Sequence, residues 1–225
     1  MTLTSKRKNA TRPIQILIVD DHPLVREGLA TRISSQEGFE VCGEAADLET
    51  ALELARTTKP DLVIVDISLK SGDGIDLMKR IRATDGHAKM LVATMYDESL
   101  YAERAVRAGA TGYINKQEMP EKIIEAIREV LSGRLYLSPQ MTRHIVRLAS
   151  GATNADPSPI ARLSDRELEV FRSIGQGRTT RRIATELGLS VRTIETHREN
   201  IKGKLDARNS AELGRIAVQW VLENG

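Results

Sequence analysis

Cysteine is almost missing: Cys42 is the only one in 225 residues. That excludes an intrachain disulfide and fits a reducing, cytoplasmic setting. Cys42 sits in an alternating apolar segment and reads as a buried thiol. No apolar run approaches the ~18 residues that a membrane span needs, so no membrane segment is expected. The opening stretch MTLTSKRKNATRP is basic with no apolar segment behind it, and does not read as a secretory signal. Internal repeats are absent. A glycine-rich phosphate loop is missing as well: the first apolar run leads into DDHPLVREG, which disfavours a nucleotide-binding or flavodoxin-like module.

What is present is ordinary in bulk, with 40% hydrophobic and 28% charged residues, as in a soluble globular protein. The net charge of +2 hides a split. Residues 14–133 carry 14 Lys/Arg against 21 Asp/Glu, whereas residues 161–225 carry 12 against 9. An acidic front and a basic back suggest two modules, the second facing a polyanion.

The front half alternates strand-like and helical patterns. IQILIVDD (14–21), FEVCGEA (39–45), DLVIVDI (61–67), KMLVATM (89–95) and TGYINK (111–116) are apolar and β-branched, as in parallel strands buried on both faces. Helical spacing follows each, at about 23–36, 47–58, 73–85, 97–109 and 119–132. Strict alternation predicts an α/β, doubly wound, five-stranded parallel sheet. Met141, Ile145 and Leu148 then keep helical spacing, and GATNADPSPIAR (151–162) reads as a linker. The tail is predicted to be all-α, with four helices at about 165–174, 179–187, 191–205 and 210–222. Ser164 and Glu167 form a capping box at its start, stapled by Leu163 and Leu168. The expected division is a basic tail (1–13), a sheet domain (14–133), a linker helix with a flexible linker (134–160) and a helical domain (161–225).

Ligands of open α/β sheets sit at the carboxyl ends of the strands. Asp20 and Asp21 close the first strand, Asp66 the third, Thr94 the fourth and Lys116 the fifth. Three carboxylates against one lysine favour a hard divalent cation, and oxygen ligands favour Mg²⁺. Taken singly, each aspartate would equally serve as a helix cap. An aspartyl-phosphate hydrolase would carry a second acid two residues past its nucleophile, but Asp66 is followed by Ile67 and Ser68.

Asp20-Asp21, Asp66, Thr94 and Lys116, with Gly112-Tyr113 before the lysine, resemble the receiver domain of two-component response regulators. The resemblance implies that Asp66 accepts a phosphoryl group from a sensor histidine kinase. It implies that Asp21, Asp66 and the backbone carbonyl of Ser68 hold Mg²⁺, with Asp20 acting through water. Thr94 would bond the new phosphoryl oxygen, and Tyr113 would turn into the space Thr94 vacates. Such chemistry depends on positioning and charge neutralisation, which Mg²⁺ and Lys116 supply. The segment DISLKSGDG departs from the commonest receiver pattern: Lys70 stands where a proline is frequent.

TTRRIATELGLSVRTIETHRENIKGKL (179–205) has helix-turn-helix form. Ile183 and Ala184 point inward, Gly188 turns, Ser190 caps the second helix, and Ile194, Ile201 and Leu205 continue the buried stripe. The whole tail resembles the LuxR-type DNA-binding domain, so the chain resembles response regulators of the NarL/FixJ class. The implied function is a phosphorylation-dependent transcription regulator, not an enzyme, that binds promoter DNA as a homodimer. Glu195, Thr196 and Glu199 occupy base-reading positions. Arg182, Arg192, Arg198, Lys202 and Lys204 are candidates for phosphate contacts. Glu195 either accepts from cytosine N4 or pairs with Arg192 or Arg198 on its own helix. Leu213, Ile216, Ala217 and Trp220 form one apolar face on the last helix, part of it a dimer interface by the resemblance. The rival reading is an atypical, phosphate-independent regulator or protein-interaction switch. His22, His87 and His144 are scattered without ligand spacing, and His197 packs or touches phosphate.

Overall fold

A computed structural model of the chain describes residues 12–69, 72–84, 86–150 and 159–224. Most of the basic tail, Lys70 and most of the expected linker lie outside the described residues. Five parallel strands form one sheet: β1 (Ile14–Val19), β2 (Phe39–Ala45), β3 (Leu62–Val65), β4 (Lys89–Thr94) and β5 (Gly112–Asn115), ordered β2-β1-β3-β4-β5. Helices α1 (Pro23–Ser34), α2 (Leu48–Thr58), α3 (Gly74–Thr84), α4 (Glu98–Ala108) and α5 (Met119–Leu131) follow in alternation. The continuous apolar run of β3 has its reason here, since all four of its residues are buried between helical layers. Ile16, Ile18, Ile64 and Leu91 pack against α1 and α5, while Leu17, Val19, Val63, Val65 and Val92 pack against α2, α3 and α4.

Register places the polar strand ends. Val19 pairs with Val65 and Val65 with Val92. Asp20 and Asp66, one residue further on, therefore emerge side by side. Thr94 pairs with Asn115, the residue before Lys116. A register shift in β2 passes over Cys42, with Ile16 opposite Val41 and Leu17 opposite Gly43. Cys42 is consequently half-buried rather than fully buried, beside the Thr58 hydroxyl, and burial pushes its thiol pKa up.

Beyond α5 the chain runs along the sheet edge, where Tyr113 N–H donates to the Tyr136 carbonyl and Tyr136 N–H to the Thr111 carbonyl. α6 (Pro139–Ala149) then lies on α4, with Met141 buried. A 3-10 turn (Pro159–Arg162) enters a four-helix unit of α7 (Asp165–Gly175), α8 (Thr180–Glu186), α9 (Val191–Lys204) and α10 (Ser210–Asn224). Its core holds Leu168, Phe171, Ile183, Ile194, Ile201, Leu213 and Ala217. Trp220 tilts against Phe171 with ring centroids 5.4 Å apart. The Ser164–Glu167 capping box is formed on both sides. Among the described residues no helix is long and apolar enough to cross a membrane.

Gly74 is the tightest point near the strand ends. A Cβ there would stand 2.1 Å from the Asp66 carbonyl oxygen and 2.8 Å from Ile67 Cα. Both are backbone atoms that cannot swing aside. Gly74→Ala is expected to destabilise the sheet domain by about 3 kcal/mol, the upper part of the range for overpacking. Urea unfolding measures it, and a midpoint unchanged from wild type would contradict the close approach.

Candidate functional site

The carboxyl edge of the sheet gathers Asp20, Asp66 and Thr94, each no more than 3% exposed, around Lys116. Lys116 Nζ stands 2.6 Å from both Asp20 Oδ2 and Asp66 Oδ2. Burial opposes the ammonium charge, but the two carboxylates outweigh it and hold Lys116 above the ordinary lysine pKa. Asp66 shows the converse balance. Burial raises its pKa, and Lys116 and the Thr94 hydroxyl offset only part of that rise. Ser68 N–H donates to Asp66 Oδ1 at 3.2 Å. Asp21 is nearly buried, and its Oδ1 has no hydrogen-bond partner. The donor atoms of Asp20, Asp21, His22 and Asp66 all lie within 4.8 Å of one another. An unsatisfied buried carboxylate oxygen among three further ligand-type atoms fits a divalent cation, so the residues present suit Mg²⁺.

Tyr113 is 3% exposed, its hydroxyl donating to the Tyr96 carbonyl at 2.9 Å. The ring is already seated inside, and Thr94 is 1% exposed. Tyr96, two residues past Thr94, stacks on Tyr101 at 4.7 Å and bonds the Ser68 side chain. Burial, foremost, pushes its pKa up to about 12.

No spacing in the sequence marks the contact between the two halves. The helical domain closes over this edge, and a cavity of about 500 Å³ is lined from one side by Asp66, Thr94 and Lys116 and from the other by Glu169, Arg172 and Arg178. The Arg172 guanidinium lies 4.3 Å from the Tyr96 ring centroid. Arg104 of α4 donates to the Leu163 carbonyl at 2.7 Å and to Asp165 Oδ1 at 2.9 Å. Lys79 reaches Asp165 Oδ2 at 3.0 Å. Burial raises the Glu169 carboxyl to about 7, with Asp73 across the contact adding to it and Arg166 opposing. Burial likewise raises Asp73 to about 6.

On the helical domain, Arg192, Glu195, Thr196 and Glu199 are exposed along one face of α9, which the cavity does not include. Glu195 has neither Arg192 nor Arg198 as an ion-pair partner among the described residues. Lys202 pairs with Glu199 at 2.8 Å. Lys204 instead pairs with Glu167 of the capping box, which ties the end of α9 to the start of α7. Arg182 pairs with Glu186 at 2.9 Å, and Thr179 caps α8 without an acidic partner. Arg198 is half-buried. His197 Nδ1 is buried without a hydrogen bond, and burial lowers the ring pKa, so His197 packs.

Comparison with known proteins separates the same two halves. Residues 16–128 match the response regulator receiver domain, and residues 161–217 match the bacterial regulatory proteins of the luxR family. The chain is 34% identical over 206 residues to the response regulator GacA of Pseudomonas aeruginosa, covering 92% of this chain and 96% of that one. It is 31% identical over 211 residues to the response regulator UvrY of Escherichia coli K12, covering 94% and 96%. Among solved structures it resembles RcsB from Salmonella enterica serovar Typhimurium bound to promoter rprA with the phosphomimetic BeF3-. That likeness has 25% identity and a TM-score of 0.60, over 91% of this chain and 98% of that one.

Proposed function

The chain belongs to the response regulators that join a receiver domain to a LuxR-type DNA-binding domain, a class of phosphorylation-dependent transcription regulators, and on that premise we propose the residues that perform the switch. Asp66 takes the phosphoryl group from a sensor histidine kinase. The carrying observation is its buried carboxylate at the end of β3, 2.6 Å from Lys116 Nζ. Asp21, Asp66 and the Ser68 carbonyl would hold Mg²⁺, with Asp20 behind them. Bound there, the ion would neutralise phosphoryl oxygens. Lys116 supplies a fixed positive charge at the attacking carboxylate, and the Thr94 hydroxyl is placed to donate to a phosphoryl oxygen on Asp66. We divide the chain at residues 14–133 and 161–225, and read it as a cytoplasmic regulator rather than an enzyme, dimeric when phosphorylated.

Arg192, Glu195, Thr196, Arg198, Glu199 and Lys202 form the proposed DNA face. Lys202, Lys204 and Arg182 contribute less, since each already holds a carboxylate. Beryllofluoride is expected to raise both operator affinity and sedimentation mass, and neither changing would favour a phosphate-blind regulator. In the same titrations Arg198→Ala should weaken binding to all sequences and lower the salt slope by about one counterion. Glu195→Ala should instead blur one operator position by roughly 1–3 kcal/mol. An unchanged motif would take base reading away from Glu195.

The closed arrangement fits a resting state in which α7 roofs Asp66 while the outward face of α9 stays free. Its pH dependence has a definite sign. Glu169 lies at about 7 against an ordinary value of 4.5, so its contribution is complete below about 4.5 and fades as pH rises through about 7. Scattering in solution should report a more open chain near pH 8 than near pH 5.5. Glu169→Gln, permanently neutral, should flatten that dependence; an undiminished slope would place the titrating group elsewhere.

A further inference from the structure

His22 has no use in the switch described so far, yet it stands at the cation centre. It occupies the N-cap position of α1 but caps nothing. Pro23 follows it and restricts its backbone to the extended region, where it has φ −93 and ψ 109. The ring turns toward the carboxylates: Nδ1 is 2.7 Å from Asp21 Oδ1 and 3.2 Å from Asp20 Oδ1. The closer of these contacts lacks hydrogen-bond geometry, which leaves Asp21 Oδ1 buried and unsatisfied. His22 Nδ1 donates to Asp20 Oδ1 and lies beside the unsatisfied Asp21 Oδ1, so in its other tautomer it would present a lone pair among the carboxylate oxygens, as a neighbouring ligand of one ion does. His22 Nδ1 shares the 4.8 Å cluster with the three aspartates.

Carboxylates and carbonyls suit Mg²⁺, whereas imidazole suits the later first-row divalent ions, and affinity at nitrogen-containing sites rises from Mn²⁺ toward Cu²⁺. We propose that His22 Nδ1 is an additional ligand at this centre, recruited by Co²⁺ and Ni²⁺, so that the centre discriminates among divalent ions through one histidine. Mg²⁺ is held by the oxygen ligands and leaves His22 out. This rests on the assignment of the metal site to Asp21 and Asp66. The ring is solvent-accessible on its outer side, with 64% of the side chain exposed, so it can move onto an ion without repacking the core.

The experiment is calorimetric titration of the full-length protein with Mg²⁺ and with Co²⁺, comparing wild type, His22→Gln and Asp21→Asn. Visible absorption of the bound Co²⁺ reports nitrogen coordination, and circular dichroism checks the fold. His22→Gln is expected to lower Co²⁺ affinity about tenfold and shift the Co²⁺ spectrum, while Mg²⁺ affinity stays within about twofold. Parallel changes for both ions, or none, would reduce His22 to an ion-pair partner of Asp21 and overturn the proposal. If Asp21→Asn leaves both ions bound as in wild type, the metal lies elsewhere. That result fails the underlying assignment, and with it this proposal. Loss of both ions in Asp21→Asn with selective loss of Co²⁺ in His22→Gln supports it.

Discussion

Asp66→Asn is expected to take up no phosphoryl group from acetyl phosphate or any kinase, a complete loss rather than a slowed rate. The amide has the shape of the carboxylate but no anionic oxygen to attack phosphorus, so the covalent intermediate cannot form. The surroundings make the substitution a clean test of chemistry. Asp66 is 3% exposed, and burial already works against its charge, so a neutral isostere removes a cost along with the nucleophile. Lys116 is not stranded, because Asp20 Oδ2 remains 2.6 Å from its ammonium. The variant should fold as wild type does. Beryllofluoride, which needs the same carboxylate oxygen, should no longer change its DNA affinity. Intact-mass spectrometry after exposure to acetyl phosphate decides the matter. Adduct on purified Asp66→Asn at wild-type stoichiometry would remove Asp66 from the role, and a nearby acid such as Asp21 would take it.

Arg104→Ala is expected to open the molecule. Arg104 bridges the two domains, with 17% of its side chain exposed and bonds to the Leu163 carbonyl and Asp165. Each charge-assisted hydrogen bond contributes about 1.5–3 kcal/mol when buried, and partial exposure reduces that. A loss of roughly 2–3 kcal/mol shifts the closed-to-open ratio by about 30–150-fold. Two readouts follow. The radius of gyration should rise toward that of two tethered bodies. Phosphorylation by acetyl phosphate should accelerate, because the α7 residues Glu169 and Arg172 no longer face Asp66 across the cavity. Arg104 lies outside the phosphoryl site, so a slower reaction would not follow from damaged chemistry. Wild-type scattering together with a wild-type rate would mean that Arg104 does not hold the domains together.

The same closure gives phosphate a route to the rest of the chain. A phosphoryl group on Asp66 brings negative charge into a cavity that Glu169 also lines, and Tyr96 links Ser68 to Arg172. Phosphorylation shifts the domains by the difference between what its charge gains from Arg172 and Arg178 and what it loses to Glu169, as any population shift requires. By linkage, whichever arrangement phosphorylation favours should in turn favour phosphorylation.

Much of this was legible in the sequence because it depends on local pattern. Period-two and period-3.6 spacing set each strand and helix, and the observed elements start and stop within two residues or so of the expected ones. Ser164, Thr179 and Ser190 announce their helices because a cap acts across three residues. Even the convergence of Asp20, Asp66, Thr94 and Lys116 could be expected, since the carboxyl ends of parallel strands all lie on one edge of the sheet.

Tertiary structure alone decided the rest. Arg104 and Asp165 are 61 residues apart, and Lys204 and Glu167 are 37 apart, so no periodicity connects either pair. His22 reads as a stray histidine along the chain because its neighbour Asp66 arrives from another strand. Cys42 looked buried because alternation assigns faces only while register holds, and β2 shifts register there. The roof over Asp66 had no signature at all: Glu169 reads as an ordinary helix-surface acid until the two domains meet. Local spacing fixes which residues share a face. What that face meets depends on how separately folded surfaces fit together, and that is a property of shape and charge in three dimensions.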